Sequence, residues 1–271
     1  MKISKHTFII SGGSSGLGLA TTRLLLQSPS TQVAILDLSG PPNELYEGLA
    51  SDARDRVRYW KTDVSSLEQL QVAVDGAAKW TEETSVKLGG VLCCAGVNRP
   101  AKVNAVQIID AKGNPYPLDK WDFVIAINLS GTVNLIRLAL PYLTKVEPEG
   151  PDGERGVIVM VASSAAFEGQ PGQTAYSASK GAITSMTLPL ARDLGRYGIR
   201  VATIAPAAFE SKLTEHFTES LRHNLTKDTP FPQRFGRPDE FAQTVQWVIE
   251  CPYVNGETFR LSGGGRMPGK L

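Results

Sequence analysis

Thr7-Phe8-Ile9-Ile10-Ser11-Gly12-Gly13-Ser14-Ser15-Gly16-Leu17-Gly18 joins three kinds of local pattern in twelve residues. Thr7 to Ile10 is a short apolar run rich in β-branched residues, Ser11 to Gly18 is rich in glycine, and Leu17 to Gln27 repeats apolar side chains at helical spacing. Strand, tight turn and helix in that order open a βαβ unit. A glycine turn so placed lets the backbone approach a pyrophosphate, held by free amide groups at the helix N-terminus. An ordinary tight turn has the same composition, so the position between strand and helix carries the reading.

The alternation continues along the chain. Strand-like runs fall at Phe8 to Ser11, Gln32 to Asp37, Arg58 to Thr62, Val91 to Cys94, Gly156 to Val161, Arg200 to Ala205 and Thr258 to Leu261. Helical periodicity covers Leu17 to Gln27, Asn43 to Asp52, Leu67 to Trp80, Asp119 to Leu143, Tyr176 to Tyr197, and Asp239 to Glu250 with Pro238 at its first turn. This predicts an α/β fold, a Rossmann-type doubly wound parallel sheet of about seven strands with helices on both faces. One domain over residues 1–271 accommodates it. Two stretches break the rhythm, an insertion loop near 97–118 and a substrate loop near 207–232. Both follow strands at their carboxyl ends, where open α/β sheets bind ligands.

Composition narrows the function. With 42% hydrophobic and 20% charged residues the chain reads as a soluble globular protein. A net charge of +1 from interspersed signs argues against nucleic acid or a polybasic membrane patch and favours a small-molecule substrate. No stretch is expected to reach transmembrane length. Cys93 and Cys94 are adjacent and Cys251 is distant, which suits neither a disulfide framework nor a CxxC metal site. His6, His216 and His223 are scattered, so no metal is expected. The few residues before Thr7 leave no room for a signal or transit segment. A cytoplasmic or mitochondrial compartment is expected, with the peroxisome as the alternative raised by the C-terminal Pro-Gly-Lys-Leu.

Asp37 closes the second strand-like run, about twenty residues past the glycines, where a carboxylate accepts hydrogen bonds from adenosine ribose hydroxyls. It would also repel a 2′-phosphate, and neither Ser15 nor Leu38 is basic, so NAD is expected rather than NADP. Asp63-Val64 stands where the adenine ring would lie, although an Asp there also serves as a helix cap.

Tyr176 and Lys180 are four residues apart on a predicted helix and share one face. A phenol is too weak an acid to serve as a base at neutral pH, and a neighbouring ammonium lowers its pKa by roughly 1–3 units. Ser163 follows the apolar run Val157 to Val161 and can hydrogen-bond a substrate oxygen; Ser164 competes for that role. No Gly-x-Ser-x-Gly elbow surrounds either serine, which disfavours a serine hydrolase.

These residues together resemble the classical short-chain dehydrogenases/reductases over essentially the whole chain. The matching elements are Ser11-Gly12 through Gly16-Leu17-Gly18, Asp63-Val64, Cys93-Cys94-Ala95-Gly96, Asn128, Ser163, Tyr176-x-x-x-Lys180 and Pro206. Within the family, Phe167-Glu168-Gly169-Gln170, the Tyr176 segment and Asn255-Gly256-Glu257 are similar to the type 2 3-hydroxyacyl-CoA dehydrogenase group, also called 17β-hydroxysteroid dehydrogenase type 10. The resemblance implies a homotetramer that oxidises secondary alcohols with NAD, with a 3-hydroxyacyl-CoA or steroid-like substrate favoured. Tyr176 would take the hydroxyl proton, Ser163 hold that oxygen, and Lys180 grip the nicotinamide ribose while depressing the Tyr176 pKa. Asn128 would anchor a water relaying protons from Lys180, Cys94, Ala95 and Gly96 would border the cofactor, and Ser211 would sit near the nicotinamide carboxamide. Cys93 stands where the family has Asn, Ala207 where it has Gly, and Ala208 to Leu213 depart from the group's loop. A ketoreductase tailoring a secondary metabolite, or a non-catalytic scaffold subunit, remains an alternative.

Overall fold

The computed structural model describes residues 1–98, 108–109, 113–212, 214–267 and 269. Seven strands form one sheet: β1 (His6–Ser11), β2 (Gln32–Asp37), β3 (Val57–Lys61), β4 (Lys87–Cys93), β5 (Gly156–Val161), β6 (Ile199–Pro206) and β7 (Thr258–Leu261). Their order is β3-β2-β1-β4-β5-β6-β7 and every pairing is parallel. Parallel neighbours need crossovers, and helices supply them on both faces. The inner strands are therefore buried on both sides and read as continuous apolar runs, whereas β3 and β7 at the edges are half-buried.

Two apolar cores result. On one face α2 (Leu67–Thr84) and α5 (Thr174–Gly195) set Leu70, Val74 and Ile183 against Ile9, Val91 and Ile158. On the other, α1 (Gly16–Gln27) and α7 (Pro238–Glu250) set Leu25, Leu26, Phe241 and Val245 against Phe8, Ile10 and Val159.

The long helix expected over Asp119 to Leu143 is α3 (Leu118–Ile125), a π-helical turn (Ala126–Gly131) and α4 (Thr132–Leu143). By length and composition this 26-residue helix could cross a membrane, contrary to the sequence expectation that no stretch would. Here it packs in the first core through Leu135, Ile136, Ala139 and Leu143, so its apolarity reflects burial against the sheet.

Two other expectations change. Asn43 to Asp52 is two 3₁₀ turns, Asn43–Tyr46 and Ser51–Arg54, because the backbone reverses at Gly48 with φ of +70° between them. The substrate loop contains a further helix, α6 (Glu219–Thr226), capped by Thr218, whose hydroxyl accepts the Leu221 amide at 3.3 Å. Most of the insertion loop, at 99–107 and 110–112, and most of the C-terminal Pro-Gly-Lys-Leu lie outside the described residues.

The centre of the sheet depends on β4 approaching both neighbours closely. Its register against β1 shifts between Thr7 and Phe8, so that Gly89 is the extra residue of a bulge. At Gly90 a methyl group would stand 2.2 Å from the Val157 carbonyl oxygen. Gly90→Ala is expected to lower unfolding free energy by about 2–4 kcal/mol in urea titration, because the β4–β5 ladder must part to admit it.

Candidate active site

The sheet order reverses between β1 and β4, and a cavity of 460 Å³ opens at the carboxyl ends of the strands beside that point. Its floor is the glycine turn. Gly12 has φ of +70° and donates its amide to the Leu36 carbonyl at 2.8 Å; a methyl group there would lie 2.8 Å from the Ala95 nitrogen. At Gly18 a methyl would lie 2.1 Å from the Gly12 carbonyl oxygen. Only glycine permits so tight a turn at both positions.

The turn delivers α1 to the cavity with its N-terminus uncapped. Ser15 makes no side-chain cap and the first turn holds no acidic residue. Unanswered amide groups and the positive end of the helix dipole face a space bordered by Ser15, Gly16, Leu17 and Gly18, which suits the pyrophosphate of a dinucleotide. Asp37 borders the same cavity from β2, its Oδ2 accepting the Ser14 amide at 3.1 Å and its Oδ1 the Ser39 amide at 3.2 Å. The cations bordering the cavity among the described residues are Lys180 and Lys212, and Leu38 lies next to Asp37.

Asp63 and Val64 also border the cavity, and Asp63 serves the local turn as well, its Oδ1 accepting from the Ser65 amide and hydroxyl at 2.9 and 2.6 Å. Cys94, Ala95, Gly96, Pro206 and Ser211 line the remaining wall. Ser11 lies beneath rather than in the cavity, accepting the Cys94 amide through its carbonyl at 3.1 Å and the Ala95 amide through its hydroxyl at 3.3 Å. This brace ties β1 to the exit of β4, where Cys93 sits buried in the apolar core and offers no amide. Ala207 needs no left-handed backbone, since the positive-φ non-glycine residues are Lys5, Ser30 and Ser85, and its amide donates to the Leu261 carbonyl at 3.0 Å.

The polar chemistry lies where β5 meets α5. Ser163 leaves β5, accepts the Ala165 amide at 3.2 Å, and hydrogen-bonds the Tyr176 phenol; Ser164 does not take that place. One helical turn beyond Tyr176, Lys180 is 5% exposed, donates to the Val161 carbonyl at 2.8 Å, and holds its Nζ 5.8 Å from the centre of the Tyr176 ring. Asn128 is fully buried outside the cavity wall. Its Oδ1 accepts the Val97 amide at 2.8 Å, and its Nδ2 donates to the Val97 carbonyl at 3.0 Å and to Ser179 Oγ at 3.1 Å. The π turn thus aims an amide that joins the exit of β4 to α5 and so fixes the helix bearing Lys180.

Burial dominates the electrostatics. It raises the Tyr176 phenol above its ordinary value, with the Ser163 hydrogen bond pulling part of the way back. The expectation that Lys180 lowers Tyr176 is not met here, because desolvation outweighs the other influences on the phenol. Burial also lowers Lys180 from 10.5 to about 8, opposed by Cys94 and Cys93. Burial pushes Cys94 up to about 12, so both residues of the cysteine pair stay as thiols.

The family model for short chain dehydrogenases matches residues 6–222. The chain is a short-chain dehydrogenase. The human protein named 3-hydroxyacyl-CoA dehydrogenase type-2 is 42% identical to it over 259 residues, covering 96% of this chain and 94% of that one. Among solved structures, 3-hydroxyacyl-CoA dehydrogenase type-2 from Mycobacterium avium superposes with a TM-score of 0.85 at 34% identity over the full length of both chains. A 3-oxoacyl-[acyl-carrier protein] reductase from Brucella melitensis with bound NAD superposes at 0.77, with 27% identity over 98% of this chain and 92% of that one.

Sequence reasoning missed several residues that border the cavity of this short-chain dehydrogenase. Phe217, Leu221 and Leu225 come from α6 and the turn before it. Thr218 ahead of leucines spaced four apart was the available signal. Glu210, which departs from the group's loop, binds Arg222 of that helix at 2.8 and 3.0 Å and ties the loop to it.

Lys180 gives this short-chain dehydrogenase a measurable signature. A lysine depressed on folding costs stability below about pH 8, and the cost fades as pH rises toward 10.5, because the unfolded chain binds the extra proton across that window. Lys180→Met should therefore be more stable than the unaltered protein at pH 7, by about 1–3 kcal/mol in urea unfolding, with the gap narrowing above pH 8. A constant gap would mean that Lys180 titrates normally.

Proposed function

We propose that this short-chain dehydrogenase interconverts the secondary alcohol of a 3-hydroxyacyl-CoA and the corresponding ketone, with NAD as cofactor. The observation that carries the proposal is the convergence of Ser163, Tyr176 and Lys180 on the cavity that the glycine turn and Asp37 also border. The full-length similarity to proteins named for that substrate supports the substrate class.

The glycine turn and the open end of α1 would hold the pyrophosphate, Asp37 the adenosine ribose, and Lys180 the nicotinamide ribose. When bound, the nicotinamide supplies the hydride acceptor or donor. Ser163 holds the substrate oxygen by its hydroxyl, and Tyr176 exchanges the proton with that oxygen. Because burial keeps the phenol protonated, Tyr176 stands ready as the acid for ketone reduction; in oxidation it is the base and must lose its own proton first. Lys180, whose pKa burial lowers to about 8, would receive that proton when it is itself deprotonated, and Asn128 would anchor the water that carries it on to solvent.

Charge supports NAD over NADP, since an Asp37 carboxylate beside the adenosine ribose would repel a 2′-phosphate. The protein is proposed to assemble as a homotetramer, which would cover outward-facing apolar side chains such as Trp247 and Tyr253. Three free cysteines suit a reducing compartment, cytoplasm or mitochondrion.

Tyr176→Phe is expected to lower kcat by about 10²–10⁴-fold while leaving NAD affinity by calorimetry nearly unchanged; retained turnover would reject Tyr176 as acid and base. Asp37→Ala should raise the KM for NAD and narrow the preference over NADP in initial-rate assays. An unaltered preference would mean that another residue reads the ribose.

A further inference from the structure

A second cavity, of 220 Å³, lies beside the first. Ser164, Ala207, Ala208, Phe209, Leu225 and Met267 border both, so the two spaces share a wall next to the residue that follows Ser163. Beyond the wall, Pro232 and Leu261 continue an apolar lining. The charged side chains that border the second cavity among the described residues are Arg234, Glu240 and Arg266, and all are answered. Arg234 donates to the two Glu240 oxygens at 2.7 and 2.9 Å, and Arg266 Nε lies 3.2 Å from Glu168 Oε1. A chamber whose charges are already neutralised offers nothing to an anionic group and suits an uncharged, apolar one.

Met267 is held in that wall by Glu168. The carboxylate belongs to the segment between Ser163 and α5, and it is mostly buried. Its Oε2 accepts the Met267 amide at 2.7 Å, while its Oε1 pairs with Arg266 and with Arg260 of β7. The Arg260 guanidinium in turn lies 4.8 Å from the centre of the Phe167 ring. Glu168 borders neither cavity. It acts through Met267, whose unbranched and adaptable side chain suits a movable partition.

We infer that the second cavity receives the acyl chain of the substrate beyond the reacting carbon, with Met267 as its gate and Glu168 as the positioning residue that holds the gate. This inference rests on the hydroxyacyl reading above and names which part of the substrate goes where. The carbon chain passes Ser164 and displaces the Met267 side chain, and the chamber excludes water from the methylenes.

The test is a kinetic series with 3-hydroxybutyryl-, 3-hydroxyoctanoyl- and 3-hydroxydodecanoyl-CoA on the full-length protein. Met267→Trp fills the gate and is expected to lower kcat/KM for the octanoyl and dodecanoyl substrates by about tenfold or more beyond its effect on the butyryl substrate, chiefly through KM. Glu168→Gln keeps the shape but not the charge. It should weaken the longer substrates in the same sense and speed hydrogen exchange at the Met267 amide, a readout independent of any substrate. Losses equal at all chain lengths, or an unaltered chain-length preference in Met267→Trp, would overturn the inference while leaving the hydroxyacyl reading intact. Failure of the unaltered protein to turn over any of the three would overturn both.

Discussion

A parallel sheet buried on both faces sends every strand the same way, and the rest of this molecule depends on that constraint. The carboxyl ends of β1, β2, β4, β5 and β6 lie along one edge, and the reversal of strand order between β1 and β4 leaves that edge open at the centre. Residues far apart in sequence, from Gly12 through Asp37, Ala95, Ser163 and Pro206, reach the cavity because each leaves a strand at that edge. The close backbone contacts at Gly12, Gly18 and Gly90 let the strands and the first helix approach far enough for the edge to be shared.

The site adds a cost to this frame. A buried ammonium and a half-buried phenol lie next to each other, with desolvation lowering the proton affinity of one and raising that of the other. Opposed displacements of this kind place a proton donor and a proton acceptor at adjacent positions in one cleft. Holding them there requires support from outside the cavity. Asn128 fastens α5 to the exit of β4, and the Val161 carbonyl fixes the ammonium from the end of β5.

Much of this was legible in the sequence because it is local. The strand runs, the glycine turn, Asp37 at a strand end and the Tyr176–Lys180 spacing each depend on a few neighbouring residues, and all fall in the elements expected. What was hidden depends on tertiary context. The apolarity of Leu118 to Leu143 looks the same whether a helix faces lipid or a sheet. Gly48 divides a segment with helical periodicity, and α6 lies within a stretch read as a loop. The direction of the Tyr176 shift reversed because spacing reveals the neighbouring ammonium but not the desolvation. Glu168 and Met267 are 99 residues apart, and no local pattern announces their bond.

Turnover requires a nicotinamide, a secondary alcohol and the Ser163–Tyr176–Lys180 set to meet in one cavity. The most direct measurement is the near-ultraviolet absorbance of reduced nicotinamide when the purified protein is mixed with NAD and a short 3-hydroxyacyl-CoA. NADH formation that requires both reactants and saturates with each is expected. A folded protein that binds neither NAD nor NADP, and produces no absorbance change with acyl-CoA, steroid or simple secondary alcohols, would contradict it.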